Sequence, residues 1–223
     1  MNFQEGEILY FDKPLHWTSF DLVSKIRNKI SRSLQVKKIK VGHVGTLDPL
    51  ATGVMIICTG KATKKIEGLQ NRSKEYIATL RMGATTPSFD LETEIDKTFE
   101  TGHITKELIE QVLQQFTGKL EQTPPVFSAC KFDGHRAYQL ARKGIEVELK
   151  PKLVVIDQIE LLSFHNNLLT IRVVCGKGTY IRALARDIGH ALGSGAHLIA
   201  LQRTRVGDAT LDKCLTVDEF CNK

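Results

Sequence analysis

Gly42-His43-Val44-Gly45-Thr46-Leu47-Asp48-Pro49-Leu50-Ala51-Thr52-Gly53-Val54 sets one carboxylate among glycines, a proline and apolar neighbours. Gly42 and Gly45 can take backbone angles that other residues resist, and Pro49 pushes Asp48 away from the α region toward extended geometry. That composition describes a loop presenting a single acid. Leu47 and Leu50 can strip water from one side of the carboxylate, and Val54-Met55-Ile56-Ile57-Cys58 reads as a buried strand anchoring the loop to a sheet. A second reading fits the Asp-Pro pair alone: a helix start, with Asp48 as N-cap and Pro49 at the first helical position.

Upstream, Gly6 to Phe11 reads as a strand. A helix follows, opened by Thr18 or Ser19, with Asp21 completing a capping box and Leu22, Val23, Ile26 and Ile30 as its apolar stripe. Downstream, Lys74 to Met82 alternates as a strand does, with Tyr76, Ala78, Leu80 and Met82 on one face and Ile77, Thr79 and Arg81 on the other. Thr105 is placed to cap a helix with Leu108, Ile109, Val112 and Phe116 inward, ended by Gly118. A shorter helix is expected over His135 to Lys143, stopped at Gly144. Leu153 to Leu162 and Leu168 to Val174 are β-rich runs joined by Asn166-Asn167, the pattern of a hairpin. The second run leads into a glycine-rich turn and a helix whose buried stripe is Ile181, Leu184, Ala185, Ile188 and Leu192, leaving Arg182 and Arg186 on a more polar face. Strands and helices mix without regular βαβ alternation, so the fold class is α+β with a mixed, largely antiparallel central sheet flanked by helices. No repeat or linker divides the chain, and residues 1–223 are expected to form a single domain.

The 223 residues carry 31 lysines and arginines against 25 acids, a net charge of +6 that leans toward a polyanionic partner. Lys37, Lys38 and Lys40 precede the Asp48 loop, Lys61, Lys64 and Lys65 follow it, and Arg203 and Arg205 lie near the end. Cations beside the candidate site suit phosphate contacts, and each taken singly also reads as part of a solvated face. No run approaches bilayer length and the first residues lack a signal pattern, so a soluble, cytoplasmic protein is expected, with no membrane partner. The five cysteines, at 58, 130, 175, 214 and 221, form no CxxC pair. Neither a disulfide framework nor a zinc site is encoded at familiar spacing, and the thiols are expected to be reduced and mostly buried. Gly53 to Lys61 departs from a phosphate-binding loop, since Ala62 stands where Ser or Thr would bind magnesium. No metal and no small-molecule cofactor are expected.

Taken whole, the Asp48 segment resembles the catalytic motif of the pseudouridine synthases, most closely the bacterial tRNA pseudouridine-55 synthase family. The resemblance continues through Asp12-Lys13-Pro14 and Thr18-Ser19, then Gly60 to Lys64, Lys74-Glu75-Tyr76, Thr123-Pro124-Pro125 with Ser128-Ala129, Gly176 to Arg182, and Leu201 to Thr204. It spans nearly the whole chain in order. It implies the pseudouridine synthase fold and the isomerisation of uridine to pseudouridine at position 55 in the T loop of tRNA. That reaction breaks the bond from ribose to N1 of uracil, turns the base and rejoins it through C5. The partner is then the tRNA T-arm stem-loop, and the protein is expected to act as a monomer.

By that resemblance Asp48 is the catalytic aspartate, acting as nucleophile or base. Tyr76 would stack on the flipped uracil and help remove the C5 proton, and Arg182 would pair with Asp48. Read without the motif, Tyr76 is a half-buried strand aromatic and Arg182 a surface helical arginine. His43 matches a histidine that contacts RNA and holds the flipped loop open, or is a satisfied loop histidine. Lys13 would support the active-site loop or bind phosphate, Leu201 would wall the uracil pocket, and Lys64, Lys131 and Arg203 are further candidate RNA contacts. Ser128 to Glu148 resembles a mobile insertion that clamps the T arm and is expected to be poorly ordered without RNA. The chain departs from the pattern at His16 and Thr93, where glycine is common. It also ends soon after Phe220, so no C-terminal RNA-binding domain is expected. Rival readings are the same chemistry on another RNA or through a guide complex, an RNA-binding module without chemistry, and an enzyme acting on a small nucleoside.

Overall fold

Val54 to Cys58 lose all exposure to solvent, because neighbouring strands flank them and apolar layers cover both faces. The computed structural model describes residues 2–128, 130–132, 134–145 and 147–222, and of Lys131 only the backbone. In chain order its elements are β1 (Ile8–Lys13), α1 (Ser19–Ser33), β2 (Val41–Val44), β3 (Ala51–Thr59), α2 (Ile66–Gln70), β4 (Lys74–Met82), β5 (Ala84–Thr85), β6 (Lys97–Thr98) and α3 (Lys106–Gln114). They continue with β7 (Gly118–Gln122), β8 (Lys131–Phe132), β9 (His135–Arg136), α4 (Ala137–Ala141), β10 (Lys152–His165) and β11 (Leu168–Cys175). The last are α5 (Ile181–Ala191), β12 (Ala196–Val206), β13 (Ala209–Thr210) and α6 (Val217–Cys221). The chain folds as two units, one from residues up to Tyr76 and from Leu201 onward, the other from Ile77 to Ala200.

In the first unit β3 is the organising strand. β1 pairs with it antiparallel from Ile8 opposite Cys58 to Lys13 opposite Gly53. Along its other edge β2 pairs antiparallel with the end of β3, and the last part of β12 pairs parallel with its start, Leu201 opposite Ala51. The predicted strand Gly6 to Phe11 is shifted two residues C-terminal, which makes Lys13 a strand residue. α1 begins as the capping box requires: Asp21 N–H donates to Thr18 Oγ1 at 3.0 Å, and Thr18 N–H donates to Asp21 Oδ2 at 2.8 Å. Thr18 is therefore the cap, and Ser19 is turned into the interior. The predicted stripe Leu22, Val23, Ile26 and Ile30 is buried. α6 has its own capping box and brings Phe220 edge-on to Phe11, ring centroids 5.3 Å apart.

In the second unit the sheet runs β4, β11, β10, β7. β4 has the predicted limits and the predicted buried face. β10 and β11 form the predicted hairpin, and Asn166 (φ 50°) and Asn167 (φ 61°) both take the left-handed conformation that a two-residue turn needs to match strand twist. Two expectations are corrected here. α3 ends at Gln114, and Gly118 opens β7 instead of closing the helix; β7 was invisible because Gly118-Lys119-Leu120-Glu121-Gln122 has no apolar alternation. The helix expected over His135 to Lys143 is reduced to α4, because His135 and Arg136 pair with Phe132 and Lys131 as a short hairpin. Within the expected insertion, Ala129, Asp133, Glu146 and the Lys131 side chain lie outside the described residues. Cys130, Ala137 and Val147 make a small apolar cluster there, packed with Phe132, Leu140 and Tyr180. β3 pairs antiparallel with β1 and β2 and parallel with β12, and β10 pairs antiparallel with β11 and β7, in keeping with an α+β fold with a largely antiparallel sheet.

Candidate active site

The Asp48-Pro49 segment is a turn and not a helix start. Ala51 N–H closes it on the Asp48 carbonyl at 3.0 Å, and His16 N–H donates to the Pro49 carbonyl at 2.8 Å. Ser19 fixes the preceding residue on both sides, donating to the Leu47 carbonyl at 3.0 Å and accepting from Leu47 N–H at 2.9 Å. Leu47 is buried beneath the turn while Asp48 remains partly open to solvent. His16 has φ 66°, which explains the glycine common at this position: the loop across from Pro49 needs a left-handed residue.

Two buried cations lie close to the turn. Lys13 has no solvent exposure, and its ammonium donates to the carbonyls of Pro14 at 2.8 Å and Trp17 at 2.7 Å. Burial pushes its pKa down to about 8; the Asp48 carboxylate pulls it back up and the Arg203 charge pushes it further down. Coulomb attraction is mutual, so this cation stabilises negative charge at Asp48. Arg203 is 1% exposed and donates through Nε to the Val54 carbonyl at 2.7 Å and through Nη2 to the Gly45 carbonyl at 3.2 Å. Gly53 is opposite Lys13 in one neighbouring strand and Arg203 in the other. With φ 108°, and with a Cβ there falling 2.2 Å from the Arg203 carbonyl oxygen, no other residue lets those strands close on it.

These facts correct one sequence expectation and bear on another. Arg203 is not a surface cation for RNA phosphates, because its guanidinium is spent on backbone carbonyls behind the loop. Of the two roles open to Lys13, its burial favours supporting the loop over binding phosphate. Leu201, half-buried, lies opposite Ala51 at the foot of the turn. Tyr76 is 8% exposed on β4, next to Glu75, whose carboxylate accepts from Thr204 of β12 at 2.9 Å. Lys64 is exposed in the six-residue 3-10 helix Gly60–Lys65 that follows β3.

His43, on β2, is shielded from solvent at Nδ1, which finds no partner of good hydrogen-bond geometry. Burial lowers its pKa and the Arg203 charge adds to the effect, while a backbone contact from Gly45 opposes it. The unfolded chain protonates this ring near 6.5, so between that pH and the lower native value the unfolded state holds the extra proton. Stability is therefore retained above 6.5 and falls as the pH drops through this window. Urea unfolding at about pH 7.5 and about pH 5.5 is expected to show a smaller acid loss in His43→Gln than in the parent. Equal losses in the two proteins would remove His43 from the account.

In the second unit Arg182 occupies the first turn of α5 and is 4% exposed, which corrects its placement on a polar face. It donates to the carbonyls of Ser88 at 3.2 Å and Phe127 at 3.0 Å, and Nε is 3.5 Å from Oδ2 of the equally buried Asp90. Sequence reading gave Asp90 no role; its only local signal was the acidic run that contains it. Thr93, at the other position where glycine is common, accepts from Ser88 N–H at 3.1 Å and so steadies the same segment. Tyr180 Oη meets Cys130 Sγ at 3.4 Å, and burial with that contact pushes its pKa up to about 12. No group of three or more His, Cys, Asp or Glu among the described residues could hold a metal ion, and no described helix is long and apolar enough to cross a membrane.

Comparison with known proteins places the chain in a family. Residues 31–181 match the model of the TruB family pseudouridylate synthase N-terminal domain, and residues 182–223 match that of the tRNA pseudouridylate synthase B C-terminal domain. The tRNA pseudouridine synthase B of Phocaeicola vulgatus is 70% identical over 220 residues, covering 99% of this chain and 94% of that protein. That of Flavobacterium johnsoniae is 49% identical over 217 residues, covering 97% and 95%. Among solved structures, a Cbf5-Nop10-Gar1 complex aligns with TM-score 0.72 and 28% identity over 100% of this chain. An H/ACA ribonucleoprotein bound to a substrate RNA containing 2′-deoxyuridine aligns with TM-score 0.70 and 28% identity over 99%. This chain spans 55% and 53% of those two chains, about half their length. With two family models covering residues 31 to 223 and relatives this similar along their length, the chain belongs to the TruB family of pseudouridylate synthases.

Proposed function

We propose that this protein converts uridine to pseudouridine at position 55 in the T loop of tRNA, with Asp48 as the catalytic carboxylate. The supporting observation is a partly open aspartate on a rigid turn beside the buried cation Lys13, in a chain 70% identical to a tRNA pseudouridine synthase B. The reaction is an internal exchange. The C1′–N1 bond breaks, C1′ joins C5, the C5 proton leaves and N1 gains a proton, so no oxidant or external group is needed. Asp48 acts on the reacting nucleoside as nucleophile or base. The uridine must leave its stack to reach Asp48, at a cost of about a few kcal/mol offset by contacts to the flipped base and its phosphates. Tyr76 stacks on that base and helps take the C5 proton, Leu201 walls the pocket, and His43 holds the opened loop. Lys64 and the exposed His135, Arg136 and Lys143 of the 128–148 insertion meet phosphates.

The test is release of tritium from a T-arm stem-loop labelled at C5 of uridine, with a second RNA in which the target uridine is replaced by cytidine. Release from the first RNA alone is expected; release from neither, with binding intact, would overturn the reading. Binding should also weaken on the order of tenfold to a hundredfold between about 50 and 200 mM salt, as counterion release from several phosphate contacts requires. A flat salt response would assign the affinity to base contacts instead.

A further inference from the structure

Between Ser19 and Lys40 the chain carries seven basic residues and one acid, Asp21, a net +6 equal to that of the whole protein. The remaining sequence is neutral on balance, so this helix and its following loop hold the protein's excess positive charge. Inside that field stands an aromatic ring that the core does not use. Phe20, in the first turn of α1, is 65% exposed although the helix buries Leu22, Val23, Ile26 and Ile30. Its position is fixed: the preceding residue, Ser19, is hydrogen-bonded to both backbone groups of Leu47, next to Asp48. Arg27, two turns along α1, places its guanidinium 5.9 Å from the centre of the Phe20 ring and donates to the Val41 carbonyl at 3.4 Å, at the start of β2. β2 then leads through His43 to the Asp48 turn. Lys37, Lys38 and Lys40 are exposed just before it.

An exposed ring with a stacked arginine, surrounded by cations and tied through one residue to a catalytic turn, is the composition of a base-stacking platform. A polypeptide partner of ordinary charge gains little from such a field, whereas an unpaired nucleotide supplies both a π-face and a phosphate. We infer that Phe20 and Arg27 form a stacking site for an unpaired RNA base flanking the nucleotide that enters the Asp48 site, with the adjoining phosphates met by Arg27 and the Lys37 to Lys40 loop. The inference rests on the proposed RNA substrate and adds to it a second base-binding position that sets affinity and register.

The test combines protein and RNA changes. Binding and tritium release are measured for the parent, Phe20→Ala, Phe20→Trp and Arg27→Gln, on stem-loops in which successive loop nucleotides other than the target are made abasic. Stacking on an aromatic contributes enough that Phe20→Ala should weaken binding and raise KM roughly 5- to 100-fold, with kcat within about twofold and Phe20→Trp near the parent. At one abasic position the parent should lose the same factor and Phe20→Ala should lose nothing more. Because Phe20 is exposed, thermal unfolding of Phe20→Ala is expected to match the parent, and a misfolded variant leaves Arg27→Gln and the abasic series on parent protein to decide. Parental binding by Phe20→Ala, or an equal loss at every abasic position, would overturn the platform. Absence of tritium release by the parent from every RNA would instead overturn the proposed reaction, leaving the binding series to judge the platform separately.

Discussion

Asparagine in place of Asp48 is expected to lower kcat for tritium release by at least about a thousandfold, the scale on which loss of a covalent or acid–base group acts. RNA affinity should stay within about threefold, because the change alters charge and not shape. The turn is held by Ala51 N–H on the Asp48 carbonyl, His16 N–H on the Pro49 carbonyl and Ser19 on Leu47. None of those bonds uses the carboxylate, so an amide of the same size leaves the backbone in place. A second readout follows from the cation beside it. Asp48 raises the pKa of Lys13 against the burial that lowers it to about 8. In Asp48→Asn that attraction is gone and the Lys13 ammonium should titrate lower still, followed through the 13Cε shift of labelled lysine. Activity retained within tenfold would exclude Asp48 as the reacting group. An unchanged Lys13 titration would mean that the two groups are uncoupled.

The sequence was most readable where structure depends on neighbours in the chain. The alternation in β4, the capping box at Thr18 and the paired asparagines between β10 and β11 each act over a few residues, and each appears as expected. The Asp48 turn was readable for the same reason, since glycine and proline restrict the backbone on the spot. Cations were read least well. Lys13, Lys74, Arg182 and Arg203 are all buried, and each donates to two backbone carbonyls: Pro14 and Trp17, Gln70 and Arg72, Ser88 and Phe127, Val54 and Gly45. A carbonyl acceptor has no letter in the sequence, and for Arg203 the acceptors lie 149 and 158 residues away. Side-chain patterns therefore placed Arg203 among RNA contacts and Arg182 on a polar face. Separating these buried cations from the exposed run ending at Lys40 is what the tertiary structure adds, and it moves the expected RNA-binding charge toward α1 and its following loop.

Asp90→Asn should be the most destabilising single-atom change in the second unit. Asp90 and Arg182 are each 4% exposed, with Nε and Oδ2 3.5 Å apart. Asp90 Oδ1 also accepts from Glu92 N–H at 2.9 Å, and its backbone carbonyl accepts from Thr86 Oγ1 at 2.7 Å. The amide variant can keep the Glu92 bond and cannot balance a guanidinium. Removing one member of a buried pair costs about 3–5 kcal/mol, and the carbonyls of Ser88 and Phe127, which still accept from Arg182, place the expected loss near about 3 kcal/mol. Taking both charges away is a different experiment, because an apolar pair avoids the desolvation that the ions bear. Urea unfolding of the parent, Asp90→Asn, Arg182→Met and the double variant should therefore show the double losing clearly less than the sum of the two singles. Tritium release divides structure from chemistry: if Arg182 serves the reaction directly, the double variant regains stability without regaining kcat. Loss below about 1 kcal/mol in Asp90→Asn would show that Arg182 does not depend on the Asp90 carboxylate, and the carboxylate would then need another reason to be buried beside it.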